Sequence, residues 1–137
     1  LHAYDYILID CQPSLGLLTV NALACSHGVI IPLAAEYFSL RGVALLVDTI
    51  SKVKERINPN LSVEGVLITM YDGRTVHSRE VVGMLDQRFG DTVYDTIISR
   101  TVKFPETTVA GEPITSYAPT HPAAQAYRAL AREVIAR

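Results

Sequence analysis

Hydrophobic and polar positions along this chain fall into blocks that predict strands and helices in alternation. Within Tyr4 to Gly16, Ile7, Leu8 and Ile9 form a short continuous apolar run, the pattern of a strand covered on both faces. Pro13 ends that register because it has no N–H to give a ladder. Ser14 is placed to cap a helix over 15–26, and Gly28 beyond its end is a stop signal. A second buried strand is predicted over 29–33, with Pro32 near its end. Ser39 is a good cap for the long helix that follows. There Leu40, Val43, Leu46, Val47, Ile50, Val53 and Ile57 recur at spacings of three and four, until Asn58-Pro59-Asn60 stops it.

A third strand is predicted over 63–70, left by the turn Tyr71-Asp72-Gly73. The spacing then predicts a helix over 78–89 ended by Gly90, and a fourth strand over 93–98. The segment 99–119 carries three prolines and a glycine and reads as a long loop with at most a short helix. A closing amphipathic helix over 122–136 turns Tyr127, Leu130, Ala131 and Val134 inward. Strict alternation of strand and helix predicts an α/β fold, a mostly parallel sheet with helices on both faces.

Composition narrows this picture in a few places. The 137 residues are one domain's worth of chain, with 49% hydrophobic and 19% charged residues, as in ordinary globular cores. A net charge of −2 gives no overall pull toward nucleic acid or anionic membrane, so such binding needs a local patch. Cys11 and Cys25 are too few for a disulfide framework and lack metal-ligand spacing, which makes a reducing cytoplasm the default. No apolar run approaches the roughly 18 residues of a membrane span, and no signal peptide is visible. Leu1 is not preceded by methionine and a core strand follows almost at once, the look of the later part of a longer protein.

One residue carries the chemistry of this pattern. Ligands of open α/β sheets bind at the carboxyl ends of strands, and Asp10 sits at the end of the first. It is a candidate carboxylate for the magnesium side of a nucleotide site of which this chain holds half; the alternative is an aspartate that caps the next turn. Each of the four histidines stands alone, without a cysteine or carboxylate at ligand spacing. His121, beside Pro122, reads as the start of the last helix.

With Asp10, Pro13-Ser14-Leu15-Gly16 and Met70-Tyr71-Asp72, the sequence resembles the ParA/Soj branch of the deviant-Walker P-loop ATPases. The resemblance continues in Asn21-Ala22-Leu23, Glu36-Tyr37-Phe38, Leu67-Ile68-Thr69, Gly111-Glu112-Pro113-Ile114 and Ala126-Tyr127-Arg128-Ala129-Leu130-Ala131. It implies that residues 1–137 are one partial domain, the C-terminal portion of a P-loop NTPase-like three-layer sandwich. The complete protein would be an ATP- and Mg²⁺-dependent ATPase of chromosome or plasmid partitioning, dimerising with ATP and working with a ParB-type partner on non-specific DNA, in the cytoplasm at the nucleoid and not at a membrane. The family's phosphate loop, its signature lysine and the aspartate near the attacking water have no counterpart in this sequence. Without those amides and that lysine, hydrolysis lacks its main electrostatic stabilisation. The chain by itself is therefore expected neither to bind ATP tightly nor to hydrolyse it.

The same resemblance assigns roles residue by residue. Asp10 matches the second Walker position, where a carboxylate accepts from magnesium-bound water. Gln12, Pro13 and Ser14 match the switch turn, with Gln12 where the family usually has proline. Glu36 falls where it can meet a partner subunit or nucleotide, a solvated loop carboxylate being the alternative. Met70, Ser99, Arg100 and Thr101 match the adenine-edge segment, Ser99 and Thr101 standing where proline and asparagine are usual; an ordinary loop is the alternative. Arg74 and Lys103 match the basic positions for non-specific DNA. Such binding needs charge rather than base-reading groups, and Asp72 and Glu106 nearby dilute the patch.

Three other readings compete, one of them a stand-alone interaction module, which the missing phosphate loop permits. A response-regulator receiver also places its phosphoacceptor after an apolar strand, but it needs an acidic pair about forty residues earlier, and only residues 1–9 precede Asp10. A MinD-like membrane-positioning ATPase calls for a basic amphipathic tail. The closing helix carries Arg128, Arg132 and Arg137, yet its apolar face is alanine-rich and needed for packing.

Overall fold

The computed structural model describes residues 2–137. The chain divides into two compact units, one of Leu1–Val29 with Ser39–Ser62 and one of Ile30–Phe38 with Val63–Arg137.

The first unit holds α1 (Leu17–Cys25) and α2 (Leu40–Arg56), which pack against each other. α2 begins as its sequence requires: Ser39 accepts from the Gly42 N–H at 3.2 Å. Val43, Ile50 and Val53 of its apolar stripe are buried, while Leu40 and Ile57 at its ends are exposed. Asn58 then ties the two helices together, donating to the carbonyls of Leu23 and Ser26 at 3.0 and 2.7 Å. Orphan carbonyls at a helix end need such partners.

Two expectations fail in this unit. The run Ile7–Ile9 is not a buried strand: residues 6–12 form no secondary structure, and Leu8 is 83% exposed. An apolar run specifies a buried strand only where neighbouring strands supply ladder partners on its edges, and the described residues supply none. Ser14 does not cap α1 either. Its carbonyl accepts from the Thr19 hydroxyl at 2.7 Å, and the helix starts after Gly16 with no side-chain cap.

The second unit is built on a three-stranded sheet in the order β1 (Gly28–Ala34), β2 (Ser62–Tyr71), β3 (Val93–Ser99). β2 and β3 are parallel, with Val66 opposite Val93 and Tyr71 opposite Ser99. β1 runs the same way: Ser62 donates to His27 at one end of the pair and Ala35 to Thr69 at the other. Helices cover both faces of this sheet. On one, Leu67, Tyr94 and Ile98 pack with Ala126, Leu130 and Val134 of α6 (Pro122–Ala136). On the other, Ile68, Val93 and Ile97 line a depression with Val82 and Asp86 of α3 (Val76–Phe89). The α/β expectation therefore holds.

Residues 99–119 depart from the predicted loop by forming α4 (Lys103–Ala110) and α5 (Ile114–Tyr117). Their prolines stand where no helical N–H is needed: Pro105 in the first turn of α4 and Pro113 as the N-cap of α5. Gly111, at φ +70°, closes α4 in the left-handed conformation that glycine adopts without strain. α6 starts as expected, with Pro122 in its first turn and His121 Nδ1 accepting from the Ala123 N–H at 3.0 Å. Its buried face is shifted, however. Ala126, Leu130 and Val134, four residues apart, meet the sheet, Ala131 points outward, and Tyr127 sits at the margin, its ring edge-to-face with Phe104 at 5.8 Å.

Candidate functional site

The carboxyl ends of β2 and β3 open onto a cleft of about 1040 Å³. β2 does not leave the sheet smoothly. Its register with β3 shifts between Ile68 and Tyr71, and Met70 between them has φ +51°. A non-glycine residue in that region is strained and persists where its surroundings over-determine it. Here they do: Thr69 accepts from Ala35 at 2.8 Å and Tyr71 from Arg100 at 3.0 Å, so the backbone on either side of Met70 is pinned.

The turn after β2 is fixed by Asp72. Its carboxylate accepts from the Arg74 N–H at 3.1 Å, and the Arg74 guanidinium closes a fork on it, with Nε 2.9 Å from Oδ1 and Nη2 3.0 Å from Oδ2. The Asp72 carbonyl accepts from both the N–H and the hydroxyl of Thr75, and Thr75 caps α3 by accepting from Ser78. The side-chain and backbone hydrogen bonds from Arg74 hold the Asp72 carboxyl well below its usual range, at about 2.

The loop after β3 forms the facing wall. Thr101 accepts from the Lys103 N–H at 3.2 Å and so turns the chain into α4. Lys103 Nζ lies 3.3 Å from Glu106. Arg100 reaches across the crest, its Nη1 2.8 Å from Oε1 of Glu36, which follows β1. The other Glu36 oxygen is buried with no hydrogen-bond partner.

Of the residues singled out from sequence, Met70, Arg74, Ser99, Arg100 and Thr101 line this one cleft, and Glu36 joins it through Arg100. Lys103 stands beside it. Asp10, Gln12, Pro13 and Ser14 belong to the other unit. All four are exposed there, and Asp10 makes no ion pair among the described residues. Sequence reasoning missed the apolar wall: Val102, Phe104 and Pro105 from the start of α4 and Tyr127 from α6. The signal available was Phe104-Pro105 just beyond a strand end, hidden when 99–119 was read as loop.

An apolar wall with a few polar groups and backbone at its rim suits a flat heteroaromatic ring. For magnesium, the described residues contain no cluster of three ligating side chains. No helix is long and apolar enough to cross a membrane among the described residues.

Residues 1–63 match the model of a family described as an AAA domain. An uncharacterized protein of Mycobacterium tuberculosis is 66% identical over the whole chain, which covers 43% of its length. The chromosome-partitioning ATPase Soj of Thermus thermophilus is 48% identical over 98% of the chain, which covers 54% of Soj. A crystal structure of cobyrinic acid a,c-diamide synthase from Mycobacterium smegmatis, with a bound ATP analog and magnesium, superposes with TM-score 0.74 at 38% identity, over 92% of this chain and 45% of that one. The chain thus spans about half the length of the curated relatives it matches. Along nearly all of its residues the chain is 45% to 49% identical to chromosome-partitioning proteins named Soj and ParA, as the resemblance in the sequence implied.

Proposed function

We propose that this chain is the adenine-side half of a partitioning ATPase, acting within a protein of its relatives' full length. The observation that carries the reading is the strand-end cleft, which collects Met70, Ser99, Arg100 and Thr101 against an apolar wall. In that protein Met70 and the loop after β3 meet the base, and Asp10 holds Mg²⁺ through its water. The phosphates are met by the glycine–lysine loop that this sequence lacks. ATP supplies the drive for dimerisation, and Arg74 and Lys103, doubled in the dimer, attract DNA phosphates with a ParB-type partner acting on the assembly. Arg74 is already forked on Asp72, so phosphate must compete with that carboxylate. The partitioning relatives Soj and ParA, at 48% and 45% identity, favour this reading over the synthase reaction of the structural neighbour, at 38%.

The test is steady-state hydrolysis and sizing of the relative-length protein, with and without ATP. ATP is expected to drive pairing, and Asp10→Ala to slow hydrolysis by about 10- to 100-fold, the usual cost of losing a group that acts through a metal's outer shell. Full activity of Asp10→Ala, or pairing indifferent to ATP, contradicts the reading.

A further inference from the structure

We propose that the hydroxyl of Tyr127, on α6, is a hydrogen-bonding group for the purine base in the strand-end cleft, held in place by the ring of Phe104 on α4. The inference rests on the reading of the cleft as a nucleotide site. It adds a side chain that touches the ligand there, from a helix distant in sequence from both strand ends.

The walls of the cleft differ in charge. Asp72, Arg74 and Arg100 stand in the segments that follow β2 and β3, whereas α4 and α6 contribute Phe104, Pro105, Thr108 and Tyr127, none of them charged. Such a wall suits the uncharged part of a nucleotide, since a phosphate buried against it would lose its water without gaining a partner. Within the wall Tyr127 is held rather than loose. Phe104 packs into two clusters, one of Leu67, Tyr94 and Ile98 in the sheet and one of Ile114, Ala123 and Ala124 in α5 and α6. The Tyr127 ring meets it edge-to-face, with centroids 5.8 Å apart and the planes at 89°, a geometry that aromatic quadrupoles prefer. A tyrosine has few rotatable bonds, so a ring backed in this way presents its hydroxyl at little cost in ordering.

That hydroxyl is unspent. Tyr127 is 37% exposed, and its oxygen has no hydrogen-bond partner among the described residues. Other tyrosines differ: the Tyr117 hydroxyl donates to Glu106 at 3.2 Å, and that of Tyr94 is enclosed against Gly65. Burial pushes the Tyr127 hydroxyl above the ordinary phenol value, with no charged side chain adding to the effect. It is therefore neutral near neutral pH and can both donate and accept. A purine edge carries ring nitrogens that accept and, in adenine, an exocyclic amine that donates. Either half of the hydroxyl finds a partner there.

Tyr127→Phe removes the oxygen and keeps the ring, so packing on Phe104 survives. The 137-residue chain, Tyr127→Phe and the control Tyr117→Phe are titrated with ADP, with adenosine and with dideoxyadenosine, which lacks the hydroxyls of the sugar ring. Backbone amide resonances follow binding and also report folding. Tyr127→Phe is expected to weaken all three ligands by the same factor, about three- to tenfold, the scale of one hydrogen bond. Tyr117→Phe should bind as the parent does. Unchanged affinity in Tyr127→Phe overturns the proposal, as does equal weakening in Tyr117→Phe. An effect on ADP that is absent with adenosine moves the hydroxyl to the phosphates, and one absent with dideoxyadenosine moves it to the sugar; either result overturns the assignment to the base. In all of these cases ligand still reaches the cleft, and the nucleotide reading stands. If no ligand perturbs the strand ends in the parent chain, the nucleotide reading itself falls and this assignment with it.

Discussion

A methyl group added at Gly65 would stand 2.3 Å from the ring of Tyr94, a distance at which something must move. Tyr94 is 2% exposed, and the Arg137 guanidinium lies over its ring, 4.3 Å from the centroid. Neither neighbour yields easily, so Gly65→Ala should destabilise the chain by about 1–3 kcal/mol, the usual cost of overpacking a core. Urea unfolding measures it, and an unchanged midpoint contradicts the packing described. At this scale the sequence was legible at several positions where a residue acts on its own neighbours, though not at Ser14, which fails to cap α1. Ser39 and His121 cap the helices they precede, and Tyr71-Asp72-Gly73 leaves β2 as a turn. Contacts made across the fold were not legible. Nothing in the spacing of Glu36 and Arg100, 64 positions apart, announces an ion pair, and the fork of Arg74 on Asp72 changes the meaning of a cation that looked free.

Among the elements, α6 does more than cover the sheet. Glu133 accepts from the N–H groups of Asp95 and Thr96 at 2.9 and 2.6 Å and from the Thr96 hydroxyl. Arg137 donates to the carbonyls of Glu64, Asp91, Thr92 and Val93. Together they pair backbone groups of Val93, Asp95 and Thr96 in β3, of Asp91 and Thr92 in the turn before it and of Glu64 in β2. Burial pushes the Glu133 carboxyl up, but the bonds from Thr96 and Asp95 and the charge of Arg137 bring it below its ordinary value. A carboxyl so lowered adds stability that is complete above the ordinary glutamate range and is lost as pH falls through the lowered value. Glu133→Ala should therefore cost about 1–3 kcal/mol near neutral pH, with the gap to the parent narrowing as unfolding is repeated at pH values below the ordinary glutamate range. A gap independent of pH contradicts the linkage. The helix itself was plain from its period, whereas α4 was hidden by prolines that a helix tolerates in its first turn. The run Ile7–Ile9 misled in the opposite way, since its pattern specifies burial but not the strands that must flank it.

For the molecule as a whole, alternation of strand and helix was enough to predict a parallel sheet covered on both faces, and β1, β2 and β3 bear that out in the second unit. The cleft at its crest was legible only in part. Met70, Ser99, Arg100 and Thr101 were identified through a resemblance, and the wall formed by Val102, Phe104, Pro105 and Tyr127 depends on α4 and α6 meeting β3 in space. The strained Met70 marks where that cleft begins. The chain has two methionines, Met70 in the cleft and Met84 on α3, so the most direct test has its control built in. ADP is titrated to millimolar concentration with Mg²⁺ into the chain labelled at its methionine methyls. The expected result is a weak, saturable shift of Met70, with amide shifts confined to the strand ends around 99–101, and an unmoved Met84. Shifts that spare Met70 or fall on both methyls alike would contradict a base-binding cleft at the ends of β2 and β3.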